Sequence, residues 1–248
     1  MFPTLFLAVT VMAPNPWRDD APSLRGQTVM LKQQAPYRYP NDPPNLETGR
    51  VLLATEYPVT RETAGELWVR FNGKDVVIDR KNAMTPKEAL VYYSDLLKMT
   101  PNNTAYLLKR IKAHELLQDW DNAIKDYDEI IKLYPTTSSY YNNRGNFWSR
   151  KKEPEKAEAD YRKSIELSPT SYVSHGNLGN MSLNKGDYDK ALEWYNKALE
   201  INPTYARALA SRSGIWREKK DLKKAMDDAE ASIKSDLVSP YGFNSRAL

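Results

Sequence analysis

The rhythm of apolar and polar positions changes twice along the chain. Phe2 to Met12 is an apolar run of eleven residues, too short to span a bilayer. From Leu24 to Thr85 the rhythm is two. Val29 and Leu31 alternate with Thr28, Met30 and Lys32, and the runs Val51-Leu52-Leu53, Leu67-Trp68-Val69-Arg70-Phe71 and Val76-Val77-Ile78 are rich in β-branched and aromatic residues. Such residues suit a pleated, half-buried surface. Asn72-Gly73 between the last two runs predicts a two-residue hairpin, because a type I′ turn needs positive φ. Pro14, Pro16 and Pro22 mark a linker ahead of this span, and Gln33 to Thr48, with Pro36, Pro40, Pro43 and Pro44, reads as a long loop. Four or five short strands between Leu24 and Thr85 predict a small β-barrel.

From Thr85 onward the rhythm is helical. Thr85-Pro86-Lys87-Glu88 supplies an N-cap threonine, a proline at the first helical position and a glutamate three residues after the cap. The helices then recur. Ala89, Ala123, Ala157, Ala191 and Ala225 are spaced by 34, with Tyr93, Tyr127, Tyr161 and Tyr195 four residues later and Pro101, Pro135, Pro169 and Pro203 twelve residues later. The alanine lets two helices cross closely, the tyrosine fills the volume beside the crossing, and the proline ends the second helix. A 34-residue period with these residues in fixed phase closely resembles the tetratricopeptide repeat family. The small residue expected in each first helix appears as Gly145, Gly179 and Ser213, whereas Ile111 departs from the pattern and implies a looser crossing in the first repeat.

The resemblance divides the chain. Residues 1–23 form a signal-peptide-like or flexible segment. Residues 24–85 form the barrel, which resembles bacterial SH3-like domains fused to such arrays. Residues 86–248 form an all-α solenoid, with a capping helix at 86–99, repeats from about 104, 138, 172 and 206, and a partial fifth repeat at 240–248. Phe243, Arg246 and Ala247 fall where that fifth repeat would place its fourth, seventh and eighth residues.

Composition narrows the chemistry. The net charge of +4 is spread thinly: residues 1–85 carry ten basic and nine acidic residues, and residues 86–248 carry 26 and 23. No basic stripe of the kind that tracks a phosphate backbone is present, so nucleic acid is disfavoured as a partner. The absence of cysteine excludes disulfides, thiolate metal sites and cysteine nucleophiles. No phosphate-binding glycine loop, nucleophile elbow or zinc-protease motif occurs. His114 and His175 fall where the repeat places packing aromatics, and a core role is favoured over a ligand or a base. No cofactor or metal is expected, and no enzymatic activity. Val11-Met12-Ala13 fits a cleavage site, but no Lys or Arg precedes the apolar run. Export to the cell envelope and a cytoplasmic location both stay open.

What remains is binding. The resemblance implies a concave face built by the first helix of each repeat, at repeat positions two, five, nine, twelve and thirteen. Here that face offers Lys112 and Leu116, then Asn142, Asn146 and Arg150, then Asn180 and Asn184, then Arg207, Arg217 and Glu218. Asparagine carries a donor and an acceptor for a peptide backbone, and arginine suits carboxylates. Asn146, Asn177 and Arg207 match three of the five places of the two-carboxylate clamp of chaperone-binding members, but Asn142 and Ser211 replace its other two cations, which argues against that ligand. The leading reading is therefore an interaction scaffold for a peptide or partner protein. The alternatives are cell-envelope or nucleic-acid binding through the barrel, with Tyr37, Tyr39, Tyr57 and Trp68 as stacking residues (core packing being favoured for Trp68), and a regulatory module of an enzyme complex. Self-association through an open last repeat is a further alternative. Finally, the seventh repeat position is Arg110, Arg144, Leu178 and Arg212, and the twenty-third is Asp126, Asp160, Trp194 and Asp228. Arginine meets aspartate and leucine meets tryptophan, which predicts a structural contact between the two helices.

Overall fold

The computed structural model describes residues 23–31, 35–41, 49–51, 56–63, 65–71 and 73–238. The expectations placed on residues 1–22, on Leu52-Leu53 and on 240–248 lie outside the described residues. The chain divides into two compact units, Met1–Ala83 and Met84–Leu248.

The strands are β1 (Thr28–Leu31), β2 (Ala35–Arg38), β3 (Gly49–Val51), β4 (Tyr57–Thr63), β5 (Glu66–Phe71), β6 (Lys74–Asp79) and β7 (Ala83–Met84). They form one sheet in the order β3-β2-β6-β5-β4-β1-β7. Leu67 and Val69 of β5 and Val76 and Ile78 of β6 turn to one face, where they pack with Val29, Leu31, Tyr57 and Val59. Phe71 pairs with Lys74, which leaves two residues for the hairpin, and Gly73 takes φ +75° as the turn requires. A register shift between Val59 and Arg61 adds twist, and the sheet forms a half-barrel. One expectation is corrected: the stretch read as a loop from Gln33 to Thr48 contains β2. Its proline is tolerated because Pro36 pairs only with Arg50 of β3, and the ladder to β6 begins at Tyr37.

The second unit is helical: α1 (Pro86–Met99), α2 (Thr104–Leu116), α3 (Trp120–Leu133), α4 (Ser138–Arg150), α5 (Pro154–Leu167), α6 (Tyr172–Asn184), α7 (Tyr188–Ile201), α8 (Ala206–Glu218) and α9 (Leu222–Val238). The capping box at Thr85 and Glu88 is formed in both directions. Repeat positions are numbered below from Thr104, Ser138, Tyr172 and Ala206. Within each repeat the two helices cross at position 8. A Cβ on Gly145 would lie 2.8 Å from Tyr161 Cε1, and one on Gly179 would lie 2.6 Å from Tyr195 Cε1. Ser213 uses the same closeness to donate its hydroxyl to the Ala225 carbonyl at 2.7 Å. Where Ile111 stands instead, α2 and α3 approach over a smaller surface than the later pairs, as the bulk of isoleucine predicts. The turn between paired helices always puts position 15 in the left-handed region: Gln118 at φ 56°, Lys152 at 63°, Gly186 at 77° and Lys220 at 63°.

Candidate functional site

The face expected to bind lies on α2, α4, α6 and α8, and the structure sorts its residues into three groups. The first is buried. Asn142 and Asn177 are only 7% and 6% exposed. Asn177 Nδ2 donates to Asn142 Oδ1 at 2.9 Å and to Asn146 Oδ1 at 3.1 Å. Ser174 Oγ donates to the same Asn142 oxygen at 3.0 Å and lies 2.8 Å from Ser164 Oγ. These bonds join α4 to α6. Asn142 and Asn177, which the sequence offers as binding residues, thus sit inside an inter-repeat network, where a half-satisfied carboxamide would be costly.

The second group is half-buried and hydrogen-bonded through one end only. Asn146 Oδ1 accepts from the Tyr161 hydroxyl at 2.9 Å, and Asn180 Oδ1 accepts from the Tyr195 hydroxyl at 2.6 Å. Burial pushes both phenols up to about 12, so they stay neutral donors across the ordinary pH range. The acceptor end of each asparagine is thus occupied, and the Nδ2 donors have no bond among the described residues. The repeat tyrosine serves the crossing with its ring and orients a face asparagine with its hydroxyl.

The third group is charged. Lys112 Nζ donates to Glu115 at 3.0 Å, and Arg150 pairs with the other oxygen of Glu115 at 3.2 Å while lying 5.4 Å above the Trp120 ring. Glu115, at position 12, was missed in the sequence, although its place on the same helical face is a readable signal. Arg217 reaches only Glu218, at 3.7 Å. Arg207 and Asn184 are exposed, and neither has a side-chain partner among the described residues. The positive charge of Arg207 opposes the effect of burial on the Tyr161 and Tyr205 hydroxyls. The face as a whole carries four cations, Lys112, Arg150, Arg207 and Arg217, against two acids, Glu115 and Glu218. Gly176 at position 5 also has a purpose, since a Cβ there would lie 2.7 Å from Tyr205 Cε1.

Other candidates are used structurally. Arg110, Arg144 and Arg212 each make a two-bond fork to Asp126, Asp160 and Asp228, with Nε–Oδ2 distances of 2.8 Å in all three. His114 Nδ1 lies 3.0 Å from Asp119, and His175 Nε2 lies 3.1 Å from the Pro169 carbonyl with its ring beside Trp194. In the sheet, Tyr57 is buried, Tyr37 and Tyr39 pack against the core, and Trp68 lies under Arg61 at 5.0 Å. Tyr57, one of the candidate stacking residues, thus lies in the core rather than on an open platform. Among the described residues no three metal-ligating side chains converge, and no helix is long and apolar enough to cross a membrane.

Family models described as tetratricopeptide repeat match residues 105–137, 138–171 and 172–205. Among solved structures, the crystal structure of MamA is 24% identical over 61% of this chain and 88% of that one, with a TM-score of 0.52. MamA 41-end from Desulfovibrio magneticus RS-1 is 20% identical over 61% of this chain and 85% of that one, with a TM-score of 0.51. At such identities the likeness is one of fold. None of the curated proteins is a match.

Proposed function

We propose, on the premise that the helical unit belongs to the tetratricopeptide repeat family, that this protein is an interaction scaffold whose face of α2, α4, α6 and α8 takes an extended acidic peptide from a partner protein. The observation that carries the reading is the excess of cations on that face, with Arg207 and Arg217 exposed and weakly paired or unpaired. Asn146, Asn180 and Asn184 supply donors for backbone carbonyls, and the two arginines supply forks for carboxylates. The mode is that of an extended segment laid in a groove. We read the face as a binding surface because, among the described residues, it brings together no nucleophile with a base and carries unbalanced positive charge.

The test uses a random peptide library displayed against the full chain and against the Arg207→Glu, Arg217→Glu double variant. The wild type is expected to enrich peptides rich in Asp and Glu, with affinity falling as salt rises. The double variant should lose that enrichment while melting at the same temperature, since both positions are exposed. Equal enrichment of acidic peptides by both proteins would move the binding surface away from these helices.

A further inference from the structure

The last described helix carries apolar side chains at two positions that the first and third repeats cover. At position 21, Ile124 and Leu192 are 3% and 8% exposed, whereas Met226 of α9 is 63% exposed. At position 28, Ile131 and Leu199 are 9% and 8% exposed, whereas Ile233 is 56% exposed. What covers the inner ones is the first helix of the next repeat: Leu192 and Leu199 cluster with Ala208, Leu209 and Ile215 of α8.

That covering helix brings a cation to a defined place. Besides its fork to aspartate, each position-7 arginine uses Nη1 on the side chain sixteen residues earlier, at position 25 of the preceding helix. Arg110 donates to Ser94 at 3.3 Å, Arg144 to Asp128 at 2.6 Å and Arg212 to Asn196 at 2.7 Å. On α9, position 25 is Glu230, exposed and without an ion pair among the described residues. On the pattern of α8, which meets α7 with Leu209 at position 4 and Arg212 at position 7, a helix covering α9 brings an apolar residue at position 4 and an arginine three residues later.

Residues 240–248 have that pattern, with Phe243 at position 4 and Arg246 at position 7, sixteen residues after Glu230. We propose that this segment of the chain docks on α9 as the first helix of a fifth repeat, with Phe243 over Met226 and Ile233 and Arg246 paired to Glu230. Docking in this register takes residues 236–238 out of α9, because each inner repeat gives positions 31–34 to the turn, as at 202–205 between α7 and α8. Pro240 then stands at the first helical position, where its missing N–H is no loss.

The experiment is hydrogen exchange of the α9 amides in the full chain and in four variants: deletion of 240–248, Arg246→Glu, Glu230→Arg, and the last two combined. Deletion should speed exchange across 226–235 by about tenfold, because an array helix is held by its neighbour. Each charge reversal should speed it by about two- to fivefold, the range of an exposed ion pair, and the combined swap should bring it back to the wild-type rate. Unchanged exchange on deletion overturns the proposal. So does a combined swap as fast as its parents, since it would mean that the two charges do not meet. If protection of 226–235 rises with protein concentration, a second copy is the occupant, and the proposal is equally overturned. Each substituted or deleted residue is exposed or lies beyond α9, and Tyr195 and Ile215 report that the array behind it stays folded.

Discussion

The first, second and fourth repeats join their two helices through a buried charge, and the third joins them through an apolar pair. In the three, a guanidinium at position 7 forks onto a carboxylate at position 23, with Asp126, Asp160 and Asp228 only 4%, 5% and 7% exposed. In the third, Leu178 is 2% exposed and packs with Ala157 and Tyr161, with Trp194 at the edge of that cluster. The comparison teaches that position 7 needs a side chain long enough to span the helices and a matched partner, while the chemistry of the match is free. The cation has also moved. At position 25, where the arginines find Ser94, Asp128 and Asn196, the third repeat receives Arg162 from α5, which lies 5.6 Å from the centre of the Trp194 ring.

The largest effect is expected at the charged solution. Asp160→Ala leaves the Arg144 guanidinium half-buried with only Asp128 to answer it, and removing one side of such a pair costs about 3–5 kcal/mol. Asp160 is also the main reason that Arg144 is held more firmly protonated than usual. Denaturant melts should show this loss, while Glu155→Ala, at an exposed position, should change stability by less than ~0.5 kcal/mol. Grafting the third repeat's solution with Arg144→Leu and Asp160→Trp should recover much of the loss. A double variant as unstable as Asp160→Ala would mean that the apolar solution depends on its surroundings in the third repeat.

A second effect separates the crossing position from the position beside it. Gly179 has no room for a Cβ, because Tyr195 is fully buried against it. Gly179→Ala should therefore cost about 1–3 kcal/mol through overpacking. Gly214, also helical, has nothing within 4 Å of its ideal Cβ. Gly214→Ala should instead raise stability by ~0.5–1 kcal/mol, the helix-propensity gain over glycine. Thermal melts of the two variants should move in opposite directions.

The contrast also shows what a sequence exposes. The helical unit was legible because its period repeats: the starts of α2, α4, α6 and α8, the small residues at position 8 and the arginine–aspartate pairing all follow from residues in fixed phase. The sheet was less legible. β2 was hidden by Pro36 and Pro40, and its place between β3 and β6 depends on partners distant in sequence. The binding face was legible as a face but not in depth. Helical periodicity puts Asn142 and Asn146 on one side of α4, yet it does not say that small Ser164 and Ser174 let α6 close over the first and leave the second half-exposed. Burial at a helix edge is set by the neighbour's side chains, which no single-helix pattern carries.

The smallest effect concerns the displaced cation. Arg162 divides its guanidinium between Glu158, one turn earlier on α5, at 2.8 Å, and the face of Trp194. Both are at the surface, where an i,i+4 ion pair contributes ~0.3–0.5 kcal/mol and a cation over an indole ~0.5–1 kcal/mol. Lys197 lies over the same ring at 4.6 Å, so removing one cation leaves the other in place. Arg162→Gln should therefore cost less than ~1 kcal/mol, at most about a third of the Asp160→Ala loss. A double-mutant cycle with Trp194→Leu separates the two contributions. If the coupling between Arg162 and Trp194 is near zero, the third repeat is held by Leu178 and Trp194 alone, and the arginine serves only Glu158. If it is about 0.5–1 kcal/mol, all four repeats place a cation at this joint. Three then bring it from the first helix of the repeat, and the third borrows it from the helix before.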